Sequence, residues 1–168
     1  MKVNPDDFTQ SAWQGIIDAK DLALTEKHQT LETEHLLFSL LKKNEIAIKV
    51  IEKSGGSIRS LLKEIEEFIK NQPKMKTVQE SIFFGKNISL SISRSKNIKQ
   101  SFKDDFISSE HLVISLFDDE RICNRLYEHN HVDKNSLLEA INALRGDKKV
   151  TQKNAENSYE ALQKYGLD

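Results

Sequence analysis

The sequence predicts an all-α protein made of two four-helix units, a tandem repeat related by a pseudo-twofold. Three observations predict it. Sliding the chain on itself by 76 residues aligns Phe8 with Phe84 and continues without a gap to Ile65 with Ile141. Within each copy the apolar residues recur at steps of three and four, the spacing of one helix face, and do not alternate as in a half-buried strand. The identical pairs, among them Ile16/Ile92, Leu36/Leu112, Leu40/Leu116, Leu61/Leu137 and Leu62/Leu138, are mostly apolar, so what the copies share is a core pattern.

The first helix of the first copy carries Ala12, Ile16, Ala19 and Ala23 on one face, small enough for close helix packing. Its counterpart offers Ile88, Ile92, Ser95 and Lys99, a more polar version in which Ile98 and Phe102 can rotate into the role. A second helix holds Leu36, Leu37, Leu40 and Leu41, matched by Leu112, Val113, Leu116 and Phe117, and is expected to be the most buried. A short third helix holds Ala47, Val50 and Ile51, matched by Cys123, Leu126 and Tyr127. It ends at "KSGGS", where Gly55 or Gly56 supplies a left-handed cap, and in the second copy at "HNHVD", where Asn130 takes that conformation less readily. Ser57 and Asp133 then serve as N-caps of a fourth helix, buried through Leu61, Leu62, Ile65 and Phe68 or through Leu137, Leu138, Ile141 and Leu144.

The first repeat therefore spans 1–72 and the second 84–145. Residues 73–83, opened by Pro73, are polar and read as a connection across the surface. From Gly146 to residue 168 the chain is again strongly polar, with Val150, Tyr159, Leu162 and Tyr165 to anchor it; it reads as a flexible linker followed by a short helix, and periodicity does not decide between disorder and packing back on the first repeat.

With 168 residues and 38% apolar content, the chain can build a true core without covalent staples. Its one cysteine, Cys123, excludes an internal disulfide and a cysteine-based zinc site, which points to a reducing, cytoplasmic setting. The 25 basic and 26 acidic side chains are intermixed, giving no basic stripe for a phosphate backbone, so nucleic acid is not an expected partner. No apolar run is long enough for a membrane span or a secretory signal, and a membrane is not expected either.

The chemistry-bearing feature is a Glu-His pair that occurs twice, in "TLETEHLLFSL" (30–40) and "FISSEHLVISL" (106–116). Thr33 and Ser109 stand before the pairs at the start of an apolar helix, so a hydroxyl N-cap with a carboxylate in the first turn is the expectation. His35 and His111 each lack a second histidine four residues on, and no metal site is expected. There is no G-x-S-x-G elbow and no phosphate-binding G-x-x-x-x-G-K-[ST] loop, so neither hydrolysis nor a cofactor such as ATP with Mg is expected of this chain. Trp13, opposite Ser89, is expected in the core, with a ligand-facing aromatic as the alternative.

The tandem "TEHLL" and "SEHLV" segments, each inside a four-helix unit, resemble the double Clp N-domain repeat of the Clp/Hsp100 family of AAA+ unfoldases. "FTQSAW", "NQPK", "DDFISSEHL" and above all "RGDKKVT" with "NAENSYEALQKYGLD" resemble the ClpB-type disaggregases within it, the cyanobacterial kind most closely. The resemblance covers nearly the whole chain. It implies a non-catalytic, client-engaging N-domain, monomeric by itself, joined through 146–168 to an AAA+ ATPase ring. The parent would be a homohexamer that works with the Hsp70 system on unfolded or aggregated proteins. The resemblance implies substrate-binding roles for Thr9, Asp104 and Glu110, and an apolar groove between the repeats lined by Ile88, Ile92 and His111 with carboxylates at its rim. Ser89, Ser91, Ser93, Ser95 and Lys99 depart from the family pattern and imply a more polar groove. Two other readings stand beside it: guanidinium or phosphoarginine sites at Thr33/Glu34 and Ser109/Glu110, as in the ClpC branch, and an adaptor that works without an ATPase.

Overall fold

The structure, a computed structural model, describes residues 2–157. Among the described residues, a 3-10 turn at Pro5–Asp7 is followed by eight named α-helices: α1 Gln10–Thr25, α2 Thr33–Lys43, α3 Glu45–Lys53, α4 Ile58–Lys70, α5 Lys86–Ser101, α6 Ser109–Leu116, α7 Cys123–His129 and α8 Lys134–Arg145. Two short strands, β1 Thr30–Leu31 and β2 Phe83–Phe84, complete the named elements.

The repeat is visible in how each element begins and stops. Ser57 and Asp133 cap α4 and α8 through side chains that accept the backbone N–H three residues on. α1 and α5 both end in a residue with left-handed backbone, Lys27 (φ 60) and Lys103 (φ 59), which are equivalent positions. α3 ends at Gly55 (φ 94), where a glycine meets no steric penalty. In the second repeat the left-handed residue is His131 (φ 62), equivalent to Gly55, and not the expected Asn130.

The apolar faces are buried as their spacing requires. α1 buries Ala12, Ile16, Ala19 and Ala23, and α5 buries Ile88, Ser91, Ile92 and Ser95. α2 and α6 lie at the centre, with every residue from Ser109 to Leu116 buried. On α4 the inward face is Leu61, Ile65 and Ile69, which leaves Leu62 and Phe68 half-buried at its edge. Trp13 is half-buried and packs on Phe8, their ring centroids 5.5 Å apart.

The two repeats exchange their opening segments. β1 of the first repeat pairs in parallel with β2, which leads into the second, with Thr30 opposite Phe83 and Leu31 opposite Phe84. Reciprocally, Phe8 of the first repeat pairs in parallel with Ile107 of the second. Each α2-type helix start is thus held by the chain that opens the other repeat, and one hydrophobic cluster runs through both.

Of the two alternatives for the polar stretch after α8, its described part takes the packed one. Residues 146–157 fold back against both repeats, with Val150, Ala155 and Glu156 buried. Hydrogen bonds, which a hydropathy pattern does not register, hold them there. The expected short helix bearing Tyr159, Leu162 and Tyr165 lies outside the described residues.

Candidate functional site

The duplicated Glu-His pairs sit at two pseudo-equivalent junctions between the repeats. The N-caps of α2 and α6 are Glu32 and Ser108, one residue earlier than expected, and His35 and His111 occupy the third helical position. Each histidine closes a capping box: its Nδ1 accepts the backbone N–H of the cap residue, at 2.9 Å from Glu32 and 2.8 Å from Ser108. That leaves Thr33 and Ser109 free to bond across the repeats. Thr33 Oγ1 donates to Asp119 Oδ2 at 2.8 Å, and Asn44 Nδ2 donates to Ser109 Oγ at 2.8 Å. Asp119 and Asn44 also accept backbone N–H groups at the starts of α7 and α3, so each first-turn hydroxyl is tied to the third helix of the other repeat.

Because Nδ1 accepts, the ring proton of each histidine is on Nε2. In the first junction His35 Nε2 donates to His28 Nδ1 at 2.7 Å; in the second His111 Nε2 donates to Asp104 Oδ2 at 2.8 Å. Positions 28 and 104 are equivalent in the repeat, so the same scaffold carries a neutral imidazole pair on one side and a carboxylate-imidazole pair on the other. Burial first, then the neighbouring His28 ring, with which it cannot share a second proton, and the Arg121 guanidinium push His35 down to about 3 and keep it neutral.

Each first-turn glutamate faces an arginine of this same chain. Arg121 binds Glu34 in a fork, Nε to Oε1 at 2.9 Å and Nη2 to Oε2 at 3.0 Å, and its guanidinium lies 5.7 Å from the centre of the Phe68 ring. Arg145 Nε stands 3.6 Å from Glu110 Oε2, while its Nη2 donates to Asp104 Oδ1 at 2.6 Å. Burial opposes the charge of Asp104, but hydrogen bonds from His111, Arg145 and the Val150 N–H outweigh it and hold this carboxyl well below the usual range. Glu110 is shifted upwards, by burial first and then by the carboxylate of Glu156. Glu156 itself accepts from the hydroxyls of Thr9 and Ser109.

The residues singled out in the sequence therefore come together in part, but in the interior. Thr9, Asp104, Glu110 and His111 meet at the second junction, and Thr33 and Glu34 at the first; Ser109 joins Thr9 through Glu156. Glu110 and His111 are fully buried, so no carboxylate rim is formed by Glu110, and Ile88 and Ile92 are core residues instead of a lining. They face inward because α5 turns the face bearing Ile88, Ser91, Ile92 and Ser95 to α6, leaving Lys86 and Ser93 outside.

An open groove does lie between the repeats, in another place. α3 packs closely on α8, whereas the equivalent pair α4 and α7 stand further apart and enclose about 1010 Å³ between them. Its apolar lining is Phe68, Ile122 and Leu126; Lys63, Glu67, Arg125 and Glu128 add mixed charge. Sequence reasoning missed this groove, along with Arg121, Arg145, Asp119 and Glu156. The one signal available was charge without a counterpart: Arg121 stands where the first repeat has Glu45, and Arg145 where it has Ile69.

Residues 7–130 match the family described as the Clp repeat (R) N-terminal domain. The chain belongs to that Clp N-terminal domain family. It is 46% identical to "Chaperone protein ClpB" of Prochlorococcus marinus over 168 residues, which is 100% of this chain and 19% of that protein. It is 36% identical to "Chaperone protein ClpB 1" of Parasynechococcus marenigrum, again over 100% of this chain and 20% of the relative. The chain thus spans about a fifth of the length of the curated relatives it matches. In fold, this Clp N-terminal domain is similar to the Hsp104 N-terminal domain from Candida albicans, with a TM-score of 0.80 and 17% identity, covering 89% of this chain and 98% of the other.

Among the described residues of this Clp N-terminal domain, no three His, Cys, Asp or Glu side chains are grouped to hold a metal ion. No helix among them is long and apolar enough to cross a membrane. The two junctions lock each helix start of one repeat to the other repeat.

Proposed function

We propose that this chain is the client-engaging N-domain of a ClpB-type disaggregase, and that it binds exposed hydrophobic segments of unfolded or aggregated proteins in the groove between α4 and α7. The observation that carries the reading is that groove: Phe68, Ile122 and Leu126 form its apolar floor, and one helix from each repeat forms its walls. The mixed rim suits segments of either charge. Each apolar client side chain seated there contributes about 1–2 kcal/mol, so binding is weak enough for release. The parent protein would be a homohexameric AAA+ ATPase in the cytoplasm, taking ATP and Mg in other domains and working with the Hsp70 system; six tethered copies offset the weakness of each. Thr9, Asp104, Glu110, Ile88, Ile92 and His111 serve this function by holding the repeats in register. The guanidinium reading is less well supported, because Glu34 and Glu110 already face Arg121 and Arg145.

The test is an amide NMR titration of the chain with reduced, carboxymethylated lactalbumin as the unfolded client. Shifts are expected along α4 and α7 around Phe68 and Leu126. Absence of any shift at millimolar client sinks the reading, and shifts confined to α5 around the exposed Leu90 move the site there.

A further inference from the structure

The segment after α8 is held across the second junction at few points. The chain turns at Gly146 (φ 58), and Arg145 Nη2 ties the turn by donating to Lys148 O at 3.1 Å. Val150 is then read on both sides of its backbone: its N–H donates to Asp104 Oδ1 at 2.8 Å, and its C=O accepts from the Asp105 N–H at 2.7 Å. Its side chain is 0% exposed. Further on, Lys153 O accepts the Gln10 N–H at 2.9 Å, and Glu156, 2% exposed, closes the segment on Thr9 and Ser109. Between these anchors the residues are exposed: Asp147, Lys148 and Lys149 on one side of Val150, Thr151, Gln152 and Asn154 on the other.

Two physical points follow. A segment anchored by two small aliphatic side chains, Val150 and Ala155, a few backbone hydrogen bonds, one buried carboxylate and the surface contacts of Lys149 with Phe102 O and of Lys153 with Asp6 has far less burial per ordered residue than the helices, and such segments open at low cost. The partners on the body are also generic. A carboxylate facing one N–H and an amide facing the next C=O recognise any extended backbone, and paired hydroxyls at the starts of α1 and α6 recognise any carboxylate.

We propose that residues 146–156 form a detachable strap occupying, in cis, a peptide seat built from Thr9, Gln10, Asp104, Asp105 and Ser109, and that its release opens this seat to an extended segment of another protein. The fitting ligand has the chemistry of the strap: a branched aliphatic residue followed six positions later by a carboxylate. The strap is thereby an internal competitor. The seat lies at the Thr9–Ser109 junction and is distinct from the α4–α7 groove, so it does not depend on the client reading above.

Native-state hydrogen exchange on the unaltered chain tests the detachment. The Val150, Asp105 and Gln10 N–H groups are expected to exchange at least ~100-fold faster than those of Leu40 and Leu116; equal protection means the strap opens only with the whole fold and overturns the proposal. The seat is tested with a labelled synthetic peptide of residues 146–157. The full chain carrying Val150→Asp and Glu156→Gln should bind it at least ~10-fold more tightly than the unaltered chain, because the cis occupant no longer competes. Thr9→Val added to that variant should weaken binding again. A variant that keeps its Leu40 and Leu116 protection and binds no more tightly overturns the seat. If the variant loses that protection, the peptide is titrated into the unaltered chain, where exchange of the Val150 N–H should rise as the peptide displaces the strap, and an unchanged rate at saturating peptide is the overturning result.

Discussion

Arg121, from the second repeat, closes on Glu34 of the first with two parallel N–H···O bonds, 2.9 and 3.0 Å long, and covers the Phe68 ring with the same guanidinium. One side chain therefore neutralises a buried carboxylate, joins the repeats and supports the edge of the groove. Arg121→Ala should cost about 2–4 kcal/mol, somewhat below the range for a fully buried pair because the Arg121 side chain is 26% exposed. Arg121→Lys should recover only part of that, since an ammonium cannot make the fork. Urea midpoints measure both. Addition of methylguanidinium at millimolar concentration to Arg121→Ala should raise its midpoint; no rise would count against guanidinium recognition at Glu34.

Gly85 occupies in the second repeat the position that Thr9 holds in the first. A Cβ there would run into the carboxylate of Glu32. Gly85→Ala should therefore destabilise by about 1–3 kcal/mol through overpacking, and the cost should shrink when Glu32→Ala is present. A double-mutant cycle in urea reads the coupling directly, and simple additivity would mean the clash is relieved elsewhere.

Acid should loosen the first junction before the second. His35 is held near 3 in the fold and titrates at about 6.5 when unfolded, so the unfolded chain binds the extra proton as pH falls below about 6.5. Stability is fully present above that pH and is lost towards pH 3, by up to ~1.4 kcal/mol per pH unit. His28 is shifted in the same direction, by burial first and then by Lys74. Asp104 loses its contribution only below about pH 4, where the unfolded carboxyl begins to bind protons, and the raised Glu110 works with the opposite sign. His35→Gln should accordingly flatten the fall in stability between pH 6.5 and about pH 4.5; an unchanged slope would place the titrating group elsewhere.

Phe68 is half-buried on the groove floor, so shortening it should weaken client binding more than it weakens the fold. Phe68→Ala is expected to lower affinity for the carboxymethylated client about 5- to 30-fold. Leu40→Ala, in the core, should instead cost about 2–5 kcal/mol of stability. Leu90→Ser, on the exposed side of α5, should leave client affinity unchanged in fluorescence titration.

Cys123 is fully buried, and burial, with Asp119 adding to it, pushes its thiol well above the ordinary range. It should remain unlabelled by a thiol-disulfide reagent at pH 8 under native conditions and react fully in urea. Labelling of the native chain at a rate comparable to that in urea would contradict this.

The helices, their order and their buried faces were legible because periodicity and repetition report burial directly: Leu36, Leu37, Leu40 and Leu41 are all 0–1% exposed. The Glu-His motif was legible as a helix start but misplaced by one residue. A carboxylate and a histidine form the α2 capping box, and the more familiar hydroxyl of Thr33 is used for Asp119, 86 residues away. The groove was misplaced for a related reason. Ile88 and Ile92 belong to the α5 face that α6 covers, His111 is buried in the first turn of α6 itself, and the opening appears where α4 and α7 fail to meet as closely as α3 and α8 do.

By itself, then, the sequence determined an all-α double repeat and its core, since those follow from the spacing of residues along one chain. Tertiary structure alone decided that the repeats exchange their opening segments, that Glu34 and Glu110 face Arg121 and Arg145, and that the polar stretch after α8 lies across the second junction. Hydrogen bonds and ion pairs between residues far apart in sequence leave no period to read. Their partners become visible only when packing of the apolar faces has brought them within 3 to 4 Å.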